Sequence, residues 1–212
     1  MAQTSENRMD RRKARTREAL LRAGLHLFGM RSVDGVSIDE IVGAADVAKG
    51  SFYNHFPDKE ALAHEIGSHV RRAVEELAAE INRDVADPAE RVARALCGFA
   101  RQALRDPEGF RAGHRLFPAG SVPDAPMNRG VRADIQAGLA AGRFDGVTLE
   151  AGVLLAVGVV QITVSRGLER DGDMQAVARN LAFGLLRGLG LPSDEAQAVA
   201  TRAAADLFSK AI

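Results

Sequence analysis

Between Lys49 and Asn54 the sequence KGSFYN brings a cation, a glycine, two hydroxyls and an amide within six residues. A lysine and hydroxyls suit phosphate oxygens, an amide can pair with a base edge in a major groove, and a glycine permits close approach of backbone to a base or sugar. Other chemistries lack their residues. The five histidines include no HxxxH pair, and His64 and His69, five apart, point to different sides of a helix. There is no GxSxG elbow, and Gly188-Leu189-Gly190 follows a helical pattern, so it stops a helix and does not cradle phosphate. The lone Cys97 cannot close an internal disulfide or build a thiolate metal site, and with no basic neighbour beside it in the helix it reads as a small buried hydrophobe. No enzyme activity, metal or cofactor is expected.

The elements around this segment have the form helix, tight turn, helix, which lets a second helix lie in a groove while the first braces it across the backbone. Leu20, Ala23, Gly24, Leu27 and Phe28 recur at helical spacing and predict a first helix over 10–30. Ser37 and Glu40 have the spacing of a capping box and open a short second helix. Residues 44–47 break it, and a third helix carries 49–54. Ile38, Ile41, Val42, Ala45, Val47, Phe52 and Phe56 supply the apolar side that locks the pair onto the first helix, leaving Lys49, Gly50, Ser51, Tyr53 and Asn54 outside. An ordinary helical hairpin with a polar outer face has the same pattern, and Tyr53, the only tyrosine, also suits a half-buried ring closing the core.

Charge distinguishes these readings. The 212 residues carry 28 basic and 28 acidic side chains, a net of zero that taken alone argues against a polyanionic partner. Between Arg8 and Arg17, however, stand six basic residues and one acid, whereas residues 18–60 hold four basic residues and seven acids. Positive charge is thus concentrated at the start of the first helix, where it could meet phosphates beside a groove. Arg17, the last of the run, joins the expected contact set. The N-terminus lacks the apolar core of a signal peptide, and the longest uncharged apolar stretch, 151–165, falls short of the roughly 20 residues that cross a bilayer. A soluble protein of the reducing cytoplasm is expected, with no membrane partner.

The rest of the chain is helical in pattern: 58–84, a helix from the Asp87-Pro88 start, 106–117, a Pro- and Gly-containing loop over 118–126, then 128–141, 148–168, 174–189 and 193–210. No segment alternates with period two, so the expected class is all-α. The 148–168 helix is apolar on all sides and must be covered on all sides.

TREALLRAGLHLF (16–28), SIDEIVGAADVAKGSFYNHF (37–56) and DKEAL (58–62) resemble the N-terminal domain of the TetR family of transcriptional regulators, over roughly residues 12–70. The resemblance implies a basic flexible arm (1–11), a three-helix DNA-binding domain (12–72) and a helical effector-binding and dimerisation domain (73–212). It implies a homodimer on a palindromic operator, usually a repressor released by a small molecule. A TetR-like regulator that acts through a protein partner, without an effector, is the alternative. Ser37 would cap and touch phosphate, Lys49 and Gly50 would approach bases, and Ser51, Tyr53 and His55 would meet phosphate or base edges. Asn54 falls where the family varies with operator, and Lys59 would meet the backbone. Two positions depart from the pattern: Asp46 stands where the turn has glycine, and Ala48 where a hydroxyl commonly caps the third helix. A mostly apolar effector would be lined by Phe99, Arg101, Phe110, His114, Phe117 and Gln161, although the rings may equally be core and His114 surface. Val153, Leu154, Val157, Val160, Val164, Leu181 and Leu185 are candidates for the dimer interface or the core, and small Gly152, Ala156 and Gly158 would permit close helix approach.

Overall fold

The computed structural model describes residues 2–116, 124–169 and 172–209, with side chains from residue 9 onward. These form ten α-helices and one 3-10 turn, Pro126–Asn128, and contain no strand. The helices are α1 (Ala2–Met30), α2 (Ile38–Ala45), α3 (Lys49–Tyr53), α4 (Lys59–Ile81), α5 (Pro88–Arg105), α6 (Pro107–Leu116), α7 (Arg129–Ala140), α8 (Leu149–Glu169), α9 (Met174–Gly188) and α10 (Ser193–Ser209). α1 begins two turns before the expected start, so the segment expected as a flexible arm is helix from Ala2 onward. Residues 2–13 contain no glycine or proline and are rich in helix formers. The apolar spacing that places the expected start reports only where the helix has something to pack on.

The chain divides into two compact units, Met1–Arg71 with Glu108–Phe117, and Arg72–Pro107 with Pro118–Ile212. The first division falls beside the expected boundary at 72/73. α6 is the difference: expected in the second domain, it groups with the first. Its small residues explain this. Ala112 is fully buried, a Cβ on Gly29 would lie 3.5 Å from the Ala112 nitrogen, Arg115 Nε donates to the Gly29 carbonyl at 3.0 Å, and His26 Nδ1 pairs with Glu108.

The core of the first unit joins Leu20 and Phe28 of α1, Val36, Ile41 of α2, Phe52 of α3, Phe56, and Leu62 and Ile66 of α4. α1 and α4 approach closely at Gly24, where a Cβ would stand 2.7 Å from Ile66 Cδ1 and 3.0 Å from Leu62 Cδ2. In the second unit α5 is central. Ala89, Ala93, Leu96, Cys97, Ala100 and Ala103 are fully buried, and α7, α8, α9 and α10 pack around them. Asp87 accepts from the Ala89 amide at 3.2 Å and from Arg143 at 2.8 and 2.9 Å. The Arg143 guanidinium holds its carboxyl below the usual range.

α8 departs from the expectation of all-round cover. Its Val153, Ala156 and Thr163 side is built into the core, but Leu154 is 43% and Ile162 59% exposed. Within a single chain, one face of this apolar helix remains open.

Candidate nucleic-acid interface

Two local devices set α2 and α3. Ser37 caps α2: its Oγ accepts from the Glu40 amide at 3.2 Å, while Glu40 Oε2 accepts from the Ser37 amide and hydroxyl, each at 2.8 Å. Arg31 donates to the other carboxylate oxygen at 2.7 Å. The Ser37 amide, followed by Arg31, pushes the Glu40 pKa down to about 2. At the far end Asp46 takes the left-handed conformation, φ 53°, and its amide reaches the carbonyls of Gly43 and Val42. Asp thus fills the turn position usually held by glycine, as a short polar side chain is able to. Ala48 precedes α3 and makes no side-chain cap bond, so the hydroxyl that this position gives up is not replaced.

On α3, Phe52 is fully buried and Phe56 follows at 5.9 Å between ring centroids. Tyr53 stands edge-on to Phe52 at 5.5 Å, yet is 51% exposed. It is therefore both a flank of the core and part of the outer face. Lys49, Gly50 and Asn54 are also exposed, while Ser51 and His55 are half-buried. No atom comes within 4 Å of where a Gly50 Cβ would stand, so the protein itself does not require glycine there and the space lies open to a ligand.

The cations of the expected contact set are held by partners that sequence reading missed. Lys49 Nζ is 2.8 Å from Asp39, which raises its pKa through that hydrogen bond. Lys59 Nζ donates to the carbonyls of Val36 at 2.9 Å and Asp34 at 3.2 Å, closing the loop before α2. Arg17 donates from both guanidinium nitrogens to both carboxylate oxygens of Glu65 on α4 and lies 5.2 Å over the Phe56 ring. By contrast, Arg11, Arg12, Lys13 and Arg15 are exposed, and no ion pair among the described residues engages them. Burial, then the charges of Lys13 and Arg17, holds the His55 imidazole below its ordinary pKa.

The expected effector lining is not gathered. Phe99 and Gln161 are half-buried in the second unit. Arg101 belongs to that unit as well, but its guanidinium is occupied by the Leu207 carbonyl at 2.6 Å. Phe110 and the exposed His114 lie on α6 in the first unit, and Phe117 lies outside the described residues. A cleft of about 400 Å³ in the first unit, lined by Asp34, Glu60, His64, Ser68, Arg71 and Leu116 among others, includes none of the six. Of the interface candidates, Val153, Val164 and Leu185 are buried in the chain's own core and are corrected to core residues. Leu154 is exposed, and Val157, Val160 and Leu181 are half-buried. Cys97 is buried, and burial pushes its thiol up to about 12, far from a reactive thiolate.

The model for bacterial regulatory proteins of the tetR family matches residues 20–66, and that for the tetracyclin repressor-like C-terminal domain matches residues 87–202, more than half of the chain. The chain belongs to the TetR family. It is 31% identical over 103 residues to the HTH-type transcriptional regulator LmrA of Bacillus subtilis (strain 168), covering 46% of this chain and 54% of that protein. Across its curated relatives the match spans 24–54% of their length. Among solved structures it resembles a gamma-butyrolactone receptor (ArpA-like protein), with TM-score 0.71 and 26% identity over 94% of this chain and 100% of the other. It also resembles RolR in complex with resorcinol, with TM-score 0.60 and 26% identity over 91% and 96%. By family the chain is a helix-turn-helix transcription regulator and not an enzyme.

Proposed function

We propose that this TetR-family chain is a repressor that binds a palindromic operator as a homodimer and is released by a mostly apolar small molecule. The observation that carries the DNA reading is the outer face of α3. Lys49, Gly50, Tyr53 and Asn54 are exposed together over a buried Phe52–Phe56 foundation, with Ser51 and His55 at the margin. Ser37 and Lys59 frame the face from neighbouring elements, and the unpaired Arg11, Arg12, Lys13 and Arg15 of α1 supply phosphate-directed charge. A cytoplasmic location follows from such a role.

Release by a ligand is supported by two relatives, one solved with resorcinol and one described as a gamma-butyrolactone receptor. Phe99 and Gln161 are the members of the expected lining that we retain for the second unit. Physically, a ligand that prefers a conformation with mis-spaced recognition helices lowers DNA affinity through linkage. The test is selection of bound sequences from fragments of the source genome, followed by a thermal-shift screen with phenols, lactones and other apolar compounds. A palindromic site released by a stabilising compound is expected. Failure to enrich any site would remove the DNA reading, and a site that no stabilising compound releases would favour the regulator that acts through a protein partner.

A further inference from the structure

Arg17 is expected on sequence to meet phosphate, but its surroundings give it a different task. We infer that Glu65 of α4 and Arg17 of α1 form a clamp that positions α3 through Phe56, so that both are positioning residues and neither touches DNA. This rests on the operator reading above.

Three observations carry it. First, the pair is two-pronged, fork to carboxylate, which is the directional form of an arginine ion pair. Side-chain exposures of 41% and 24% make it less screened than a surface pair. Second, the same guanidinium lies 5.2 Å over Phe56, within the range of cation–π attraction. Phe56 packs on Phe52, and the amides of His55 and Phe56 both donate to the Phe52 carbonyl at 2.9 Å. The sequence of contacts is therefore Glu65 to Arg17 to Phe56 to Phe52, ending on the one buried aromatic of α3. Third, α3 needs such support. It has five residues and no side-chain cap at Ala48, and a helix that short has no stability of its own.

The alternative, that Arg17 swings to a phosphate, would leave the largely covered Glu65 carboxylate unpaired next to a polyanion. Lys49 differs, because its partner Asp39 is 71% exposed and such a pair exchanges at little cost. Arg11, Arg12, Lys13 and Arg15 need no release at all.

The experiment measures affinity for the selected operator fragment between about 50 and about 200 mM salt, using Arg17→Met, Arg17→Lys, Glu65→Met, the double Met variant, and Arg15→Met for comparison. Arg17→Met and Glu65→Met should each weaken binding by about tenfold, the double variant should be no weaker than either single one, and the log–log salt slope should stay that of the parent. Arg17→Lys should bind almost as weakly as Arg17→Met, since lysine lacks the fork. Arg15→Met should reduce the slope by about 0.9, the signature of one lost phosphate contact. A slope reduced by that amount in Arg17→Met, or tighter binding in Glu65→Met, would overturn the clamp. Amide exchange at His55 and Phe56 in the DNA-free protein gives an independent readout: about tenfold faster exchange in both single Met variants is expected, and unchanged exchange refutes the inference. If the parent protein enriches no operator, the DNA reading fails while amide exchange still decides the clamp.

Discussion

At the scale of single residues, the recognition face combines groups that must stay exposed with groups that must stay put. His55 is half-buried, and Lys13 and Arg17 add positive charge around it. Its folded pKa lies below the model value of 6.5, so as pH falls through that value the unfolded chain takes up a proton that the folded one resists, and stability is lost. A phosphate reverses this preference. We predict that the His55 imidazole titrates at higher pH in the operator complex than in the free protein, and that operator affinity rises as pH falls through about 6.5. NMR titration of both states checks this, and a pKa that does not rise on DNA takes His55 out of the contact set. Tyr53 makes a different prediction. Its edge contact with Phe52 accounts for about 0.5–1.5 kcal/mol of stability, a small part of a domain's total, so Tyr53→Ala should leave the protein folded while operator affinity falls. An unchanged gel shift would refute its place on the DNA face. The outer residues Lys49 to Asn54 are legible in the sequence because their relation is local. Glu65 is not: it meets Arg17 across 48 positions, and no local spacing rule links two charged residues on separate helices.

At the scale of elements, caps and turns carry the legible part of the fold. The Ser37–Glu40 box and the Asp87 cap stand where the sequence places them, since each needs only residues three or fewer positions apart. The start of α1 and the grouping of α6 with the first unit escape the same reading. The former rests on propensity without a packing face, and the latter on small residues meeting across long separations, such as Gly29 against Ala112. The turn between α2 and α3 is the element most open to a local test. Asp46 is the only described non-glycine residue at positive φ, and a left-handed conformation costs an ordinary residue about 1–2 kcal/mol. Asp46→Val should therefore destabilise the protein by about that amount or somewhat more, because a β-branched side chain tolerates this region worst. Asp46→Gly should be neutral or stabilise by up to about 1 kcal/mol. Urea unfolding measures both. If Val and Gly behaved alike, the left-handed turn would not be what holds α2 and α3 at their angle.

At the scale of the whole molecule, the zero net charge and the open face of α8 bear on the same question, which is what a single copy lacks. The unpaired cations of α1 form a small patch in a neutral chain, and one patch gives weak, salt-sensitive attraction to DNA. Two patches on a palindrome act together, because binding of the first half-site makes the second intramolecular. The second copy needs a surface, and α8 offers one. Leu154 and Ile162 are exposed, they stand four positions either side of Gly158, and no atom lies within 4 Å of a Cβ built on that glycine. Leu154, Gly158 and Ile162 thus share a face at helical spacing, apolar, flat at its centre, and outside the chain's own core. Sequence periodicity does not separate this face from Val153, Val164 and Leu185, because a helix apolar all round has no polar side to mark the outside. We predict that Ile162→Arg converts the dimer to monomer at micromolar concentration in sedimentation equilibrium, with helix content by circular dichroism unchanged because the residue is outside the core. Although Ile162 and α3 belong to different units, operator affinity should fall by about a hundredfold or more, the loss expected when two linked half-site contacts become one. Lengthening the operator centre by about half a helical turn should weaken binding by the parent dimer and leave the variant unaffected, since a monomer has no spacing to satisfy. An Ile162→Arg protein that remained dimeric would place the interface on another face. One that was monomeric yet bound the full operator as tightly as the parent would mean that the two half-sites do not act together.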